Sequence, residues 1–411
     1  MRVFSGGQLK GGAQADIEGV YMVSPLVPGT YEVEFSSVGY NKQTVSGVII
    51  NFETTTRFDF KLTNINTQLP AVEIIYEADL VSKDETSTGA KLTAKDIEKI
   101  PTRNINAIIQ TQAAVYSEDD GAGLNIRGNR EQDNAVFING IRQFGTRLPP
   151  VESIAELSII TGGVPAQYGD ALGGIISITT KGAASKFSGN VQGETSSLFD
   201  KWHYNFAGTT LSGPLLQTKG GQDENGVYRD KRTLLGFFSA LQFTSNADAA
   251  PSPFGVFVPT DAARQRVLNG EVRRFGSAYR PAADFFTPAD MRRQTFRPNA
   301  SDRLLQFNTN LDFQPTEDVI FTIGGNINSS RSNLGGYFNP FNYQNNSVNK
   351  RTDLNVFGRF RQSFKNLGGD SSILKNVYYQ VQLDYTSNVS ETYDPRFKKD
   401  YNKYNYTGIY E

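Results

Sequence analysis

The sequence predicts a mainly β protein in three parts: a partial β-sandwich, a small α+β domain, and the first strands of a large antiparallel sheet suited to a membrane-spanning barrel. Three observations predict it. Short alternating strands with turn punctuation fill residues 1–63, and residues 64–90 form a polar connector. A glycine-rich stretch, "GGVPAQYGDALGGIISITTKG", closes a helix-and-strand region over 91–182. From Phe187 onward, within 183–411, long segments alternate apolar and polar residues with a period of two.

Composition removes several function classes. A net charge of −1 over 411 residues gives no field for nucleic acid. The absence of cysteine excludes a disulfide framework and thiolate metal sites. A single histidine, His203, rules out multi-histidine metal centres and most His-based triads, and a structural role suits it better. No cofactor, metal or catalytic residue is expected, so the chain does not read as an enzyme. No apolar run is long enough for a membrane helix, and "MRVFSGGQLKGG" has no apolar core of a signal peptide.

In the first part, "GTYEVEF" sets Tyr31, Val33 and Phe35 against Glu32 and Glu34. In the connector, "LPAVEII" (Leu69–Ile75) is a short extended apolar patch. It fits either an edge strand pairing with a neighbouring domain or a segment offered to a partner by strand addition. In the second part, "LTAKDIEKI" predicts a helix capped by Thr93 and stopped before Pro101, and "RNINAIIQT" a second short helix. "AVFI" running into Asn139-Gly140 predicts a hairpin. "VESIAELSII" predicts a passage from helix to strand.

The third part contains about seven alternating segments, among them "RLLQFNTNLDF", "VIFTIGGNINS", "TDLNVFGRFRQSF" and "VYYQVQLDYTSNV". Each runs to about 11 residues, the length a tilted membrane strand needs. Apolar-out and polar-in describes a transmembrane barrel, while a large soluble sandwich shows the same alternation. The connections lean to the barrel. "QPTED" (314–318) is tight, whereas 246–302 and "RSNLGGYFNPFNYQNNSVNK" are long and lie on the opposite side.

Three stretches resemble TonB-dependent outer-membrane receptors in the form with an N-terminal carboxypeptidase-regulatory-like domain, common in Bacteroidota. They are "DIEGVYMVSPLVPGTYEVEFSSVGY", "LNIRGNREQDNAVFINGI" and "IAELSIITGGVPAQYGDALGGIISITTKG". The resemblance implies a plug domain at 91–182 inside a barrel of the 22-stranded type, of which this chain holds under half. It is therefore expected to be a piece of a longer chain, truncated at both ends. It also implies that Leu69, Pro70, Ala71, Val72, Glu73, Ile74 and Ile75 form the segment bound by the periplasmic TonB domain. Arg127, Gly128, Asn139, Gly140, Tyr168, Gly169, Gly173 and Gly174 are the expected structural residues of the plug. Gly169, Gly173 and Gly174 would allow close backbone approach, and Arg127 and Arg130 are candidates for contacts to the barrel wall. The function implied is ligand import across the outer membrane, driven through TonB. The alternatives are a structural barrel subunit of a larger outer-membrane export or insertion assembly, and a soluble adhesin. Expected partners are TonB and outer-membrane lipid, with a surface lipoprotein or other outer-membrane subunits left open.

Overall fold

The computed structural model describes residues 1–400 apart from 6–7, 24–25, 27–28, 51–55, 57–58, 65–72, 76–87, 118–122, 144–147, 165–167, 169–172, 185, 201, 223–227, 230–231, 317, 336–342 and 367–374. The N-terminal unit comprises β1 (Arg2–Ser5), β2 (Gln8–Gly12), β3 (Gly29–Phe35), β4 (Gln43–Ile50) and β5 (Glu73–Ile75), in the order β2-β1-β3-β4-β5. Alternation in β3 works as expected: Tyr31, Val33 and Phe35 are buried with Val3, Val45 and Val48. The described strands lie in one sheet, where the sequence suggests a partial sandwich. Tyr21, Val23, Phe60 and Leu62, from irregular chain, cover the apolar face that a second sheet would otherwise cover.

The central domain comprises β6 (Thr88–Thr93), α1 (Ala94–Glu98), α2 (Ile105–Gln110), β7 (Val115–Tyr116), β8 (Asn125–Ile126), β9 (Ala135–Ile138), β10 (Ile141–Gln143), β11 (Ile154–Gly162) and β12 (Ile175–Thr180). Its sheet runs β10-β9-β12-β11-β6, with β12 parallel to β9. β6 begins at Thr88, inside the stretch the sequence assigns to the connector, because its backbone pairs antiparallel with β11. Thr93 caps α1 in a capping box with Asp96. The core is almost all isoleucine and leucine, including Ile108, Ile109, Ile126, Leu157, Ile159 and Ile178. Asn139 (φ 53°) and Gly140 (φ 81°) join β9 to β10 in a two-residue turn with both residues left-handed, the type I′ geometry that Asn-Gly favours.

The glycine-rich stretch explains itself at two positions. A Cβ on Gly173 would lie 2.8 Å from the Asp133 carbonyl oxygen, and the Gly173 N–H donates to that same oxygen at 2.8 Å. A Cβ on Gly174 would lie 2.6 Å from Cγ2 of the fully buried Ile126. Gly169 lies outside the described residues, while Tyr168 packs edge-on against Phe137 at 4.9 Å.

The third unit comprises β13 (Ser188–Thr195), β14 (Asn205–Gln217), β15 (Gly221–Gln222), β16 (Tyr228–Arg229), β17 (Thr233–Asn246), β18 (Val256–Pro259), α3 (Asp261–Leu268), β19 (Val272–Phe275), β20 (Ala278–Pro281), β21 (Met291–Gln294), β22 (Asp302–Phe313), β23 (Val319–Asn333), β24 (Val348–Asn366) and β25 (Lys375–Tyr393). Seven of these form one antiparallel meander, β13-β14-β17-β22-β23-β24-β25. β24 and β25 run 19 residues each, well beyond the expected 11. At ~3.3 Å per residue they exceed the ~30 Å hydrocarbon core and so project past it.

The polarity of this sheet is the reverse of a soluble one. Asn308, Asn310, Asn326, Asn328, Asp353 and Asn355 are buried, whereas Leu305, Ile323, Ile327, Val381 and Leu383 are exposed. Ile323 is 59% exposed and Asn328 0%, which decides against a water-facing outer surface. At the turn end, Phe313, Phe321, Phe360 and Tyr379 form a ladder across four strands, with ring centroids 4.8–6.2 Å apart. Such a belt of aromatics marks a membrane interface.

At the opposite end, the 247–301 connection is folded rather than extended, with β18 paired to β21 and β19 to β20. The fully buried Asp248 clamps it. Arg297 donates to Asp248 through Nε (2.9 Å) and Nη2 (2.5 Å), and through Nη1 to the Gly335 carbonyl (2.9 Å). Burial pushes the Asp248 carboxyl up, but the hydrogen bonds from Arg297 and the Ala250 N–H outweigh it and hold the carboxyl below its ordinary value.

Gly174→Ala is expected to destabilise the central domain by about 1–3 kcal/mol through overpacking against Ile126, read as a shift of the denaturant midpoint. A carboxyl with a lowered folded-state pKa stabilises at pH above its unfolded value, about 3.9, and loses that contribution as pH falls through the lowered value. Protease resistance of the 247–301 loop should therefore be flat through neutral and mildly acidic pH and fall only below the ordinary carboxylate range. In Asp248→Asn it should already be reduced at neutral pH.

Candidate functional site

The polar inner face of the seven-stranded sheet meets the central domain along a seam of hydrogen bonds. Arg359 on β24 donates through Nη2 to the Asn139 carbonyl at 2.6 Å. Asn310 on β22 donates through Nδ2 to Thr180 Oγ1 and to the Lys181 carbonyl, both at 2.8 Å. Gln306 donates to the Leu148 carbonyl at 2.7 Å. Where the chain passes from β12 into the barrel strands, Asp312 accepts from the Ala183 N–H (3.1 Å), and Ser212 Oγ from the Ala184 N–H (2.8 Å).

Asn139 is the hub. Its side chain donates to Thr180 Oγ1 (2.9 Å) and accepts from the Thr180 N–H (2.9 Å), locking the hairpin tip to the end of β12. Its carbonyl then takes the guanidinium of Arg359. One turn residue thus joins hairpin, last strand and wall.

A second contact lies at the β13–β14 end. Arg103, between α1 and α2, reaches Glu194 on β13 at 3.4 Å, comes within 3.8 Å of Glu152 and stacks 4.1 Å over the Phe206 ring of β14. It borders a cavity of about 770 Å³ lined also by Glu98, Lys181, Asn190, Gln192 and Tyr204. Burial lowers the Lys181 pKa, and the carboxylates of Glu98 and Glu152 oppose that shift. The space between domain and wall is therefore charged and polar.

The predicted residues fall into three groups. Asn139, Gly140, Gly173 and Gly174 hold turns or close approaches, as described above. Arg127 (φ 51°) and Gly128 (φ 79°) form a left-handed turn and are exposed, as is Arg130. Arg103, from the central domain, and Arg359, on the sheet, each make an arginine contact between the two. Leu69, Pro70, Ala71 and Val72 lie outside the described residues, whereas the backbone of Glu73–Ile75 pairs parallel with Thr44–Ser46. Sequence reasoning missed Gln306, Asn310 and Arg359, which look like every other polar position of an alternating strand. No helix among the described residues is long and apolar enough to cross a membrane, which leaves strands free to do so.

A sheet that is apolar outside, with a separate α+β domain hydrogen-bonded to its polar inside, defines barrel strands of an outer-membrane protein with a domain set against their inner face. Residues 82–175, which take in most of the central domain, match the family model described as TonB-dependent Receptor Plug Domain. The chain is 24% identical over 197 residues to the TonB-dependent transporter Oar of Myxococcus xanthus, covering 43% of this chain and 18% of that protein. It is 27% identical over 190 residues to the iron-regulated outer membrane virulence protein of Vibrio cholerae, covering 38% and 28%. The chain thus spans less than a third of the length of either relative. Among solved structures, the ferripyoverdine receptor of Pseudomonas aeruginosa aligns with a TM-score of 0.49 at 14% identity, over 76% of this chain and 35% of that one. The siderophore receptor PirA of the same organism aligns with a TM-score of 0.43 at 17% identity, over 74% and 41%.

Magnitudes rank the two arginines. The Arg103–Glu194 pair is partly solvated, with Glu194 56% exposed, and with its ring contact amounts to about 1–2 kcal/mol. The short charge-assisted bond from Arg359 is worth about 1.5–3 kcal/mol. Arg359→Ala should accordingly speed amide exchange across the plug more than Arg103→Ala, with the largest change at the β9–β10 hairpin.

Proposed function

We propose that the chain is part of a TonB-dependent outer-membrane transporter that imports a ligand, with plug release driven by TonB engaging Leu69–Ile75. The observation that carries this reading is the chemistry of the seam. Within the plug, branched aliphatic side chains bury one another, and separating them is costly. Between plug and wall the contacts described above are hydrogen bonds and the partly solvated Arg103 pair, and the buried amide oxygens of Gln242, Asn308 and Asn310 on the wall strands have no protein donor among the described residues. Water replaces such bonds when surfaces part, so the net cost is about 0.5–1.5 kcal/mol for each bond between neutral groups. A pull therefore has a weak joint to act on.

The joint is connected to the proposed handle. Residues 76–87 lie between Ile75 and Thr88, where β6 forms the edge of the plug sheet. Fully extended, that tether spans at most ~47 Å, so force on the segment reaches an edge strand first. In this reading the N-terminal sheet is the accessory domain of carboxypeptidase-regulatory-like kind, as found in Bacteroidota. The chain acts by binding and gating rather than by bond chemistry.

The test is binding of the periplasmic TonB domain by the detergent-solubilised full-length protein and by a form lacking Leu69–Ile75. Deletion should weaken binding by about tenfold or more, equivalent to ~1.4 kcal/mol. Equal binding by both forms would remove Leu69–Ile75 as the handle.

A further inference from the structure

We propose that the β19–β20 hairpin of the 247–301 loop is a docking site for the phosphate groups of the outer-leaflet glycolipid, lipopolysaccharide. The proposal goes beyond ligand import and does not depend on the TonB-binding segment. β19 reads Val-Arg-Arg-Phe and β20 reads Ala-Tyr-Arg-Pro, and all eight residues are exposed. Gly276 (φ 62°) lies in the turn between them.

Arg273 and Arg280 stand directly opposite each other in this hairpin. Side chains in that relation share one face with Cβ atoms ~5 Å apart, and like charges there oppose pairing. Hairpin stability does not account for such a pair, whereas an anion bridging both guanidinium groups does. Ring faces hold the two groups in place. The Arg280 guanidinium lies 5.3 Å from the Phe275 centroid and that of Arg273 lies 5.9 Å from the Phe285 centroid, with the two rings 6.0 Å apart. Asp284 reaches Arg280 only at 3.9 Å, and both side chains are solvated. Among the described residues, no carboxylate pairs with Arg273, Arg274 or Arg292.

The loop's composition and position favour a lipid phosphate. Residues 247–301 carry eight arginines, no lysine and five carboxylates, in a chain whose net charge is −1. Asp248 and Asp290 are already taken by Arg297 and Arg266. Arginine offers phosphate a planar two-pronged donor that lysine lacks. A hairpin with every residue exposed lacks the concavity that a small soluble ligand needs, and suits a broad anionic surface. β22 has 12 residues and ends at Phe313 in the aromatic belt. At ~3.3 Å per residue and a tilt of ~40° it climbs ~30 Å, one hydrocarbon thickness, so the loop leaves the wall at the opposite headgroup layer. Long connections of an outer-membrane barrel lie on its external side.

The full-length protein in detergent would be titrated with purified lipopolysaccharide, intact and dephosphorylated, and with inorganic phosphate. Arg273→Gln, Arg280→Gln relieves a like-charge contact, so the hairpin should stay paired, and binding of intact lipopolysaccharide should weaken about tenfold or more. Arg396→Gln, Lys399→Gln removes two exposed charges at the same end of the sheet and should change binding by less than about threefold. Equal losses in the two pairs, or no loss in the first, would overturn the site. Equal binding of intact and dephosphorylated glycolipid by the unaltered protein would remove phosphate as the group recognised, a reading that needs no variant. Displacement of the glycolipid by an equal concentration of inorganic phosphate would assign these arginines to a soluble anion and overturn the lipid source.

Discussion

Everything in this molecule follows from a sheet whose polar side faces inward. In a bilayer each strand must satisfy its backbone with its neighbours, and its outward side chains must match hydrocarbon. That leaves a concave wall of asparagine, glutamine, serine and arginine, which is unstable against anything that cannot hydrogen-bond. The plug answers this with main-chain carbonyls at Asn139, Leu148 and Lys181, each taken by a wall side chain. The wall thus reads the plug's backbone, a recognition that depends on where its loops and strand ends lie more than on which side chains they carry.

The plug and the seam are held by different forces, and the difference gives the molecule its mechanical hierarchy. Apolar burial inside the plug is cooperative, so a core that includes Ile108, Leu157 and Ile178 comes apart together or not at all. The seam is a set of separable contacts at Gln306, Asn310, Asp312, Arg359 and Arg103, each of modest value. The polar cavity beside Arg103 separates plug and wall on that side.

Much of the fold was legible because local rules govern it. Thr93 announces α1, Asn139-Gly140 announces its hairpin, and the period-two alternation locates all seven strands of the meander. Strand length was not legible. The apolar alternation of β24 stops before Val348 and that of β25 before Tyr393, yet pairing continues into water, where no membrane demands a pattern. The described N-terminal strands form one sheet, and the cover supplied by Tyr21, Phe60 and Leu62 comes from irregular chain with no periodicity for sequence reading to find. The site was least legible. Arg359 and Asn139 stand 220 positions apart, and Asn310 and Thr180 stand 130 apart. A polar residue that faces a plug has the same sequence signature as one that faces solvent.

The turn at Asn139-Gly140 joins two matters that are usually separate. In a two-residue hairpin the type I′ and type II′ forms differ by a half-rotation of the central peptide unit. The carbonyl of that unit is the acceptor for Arg359. Choice of turn form therefore sets whether a distant strand finds an oxygen or an N–H at its docking point. With both residues left-handed, the peptide plane is fixed in the orientation that offers the oxygen. A hairpin that relaxed to the other form would keep its strands paired and its core intact, yet present the guanidinium with a donor. Local backbone isomerism and the fit of one domain inside another are here the same variable.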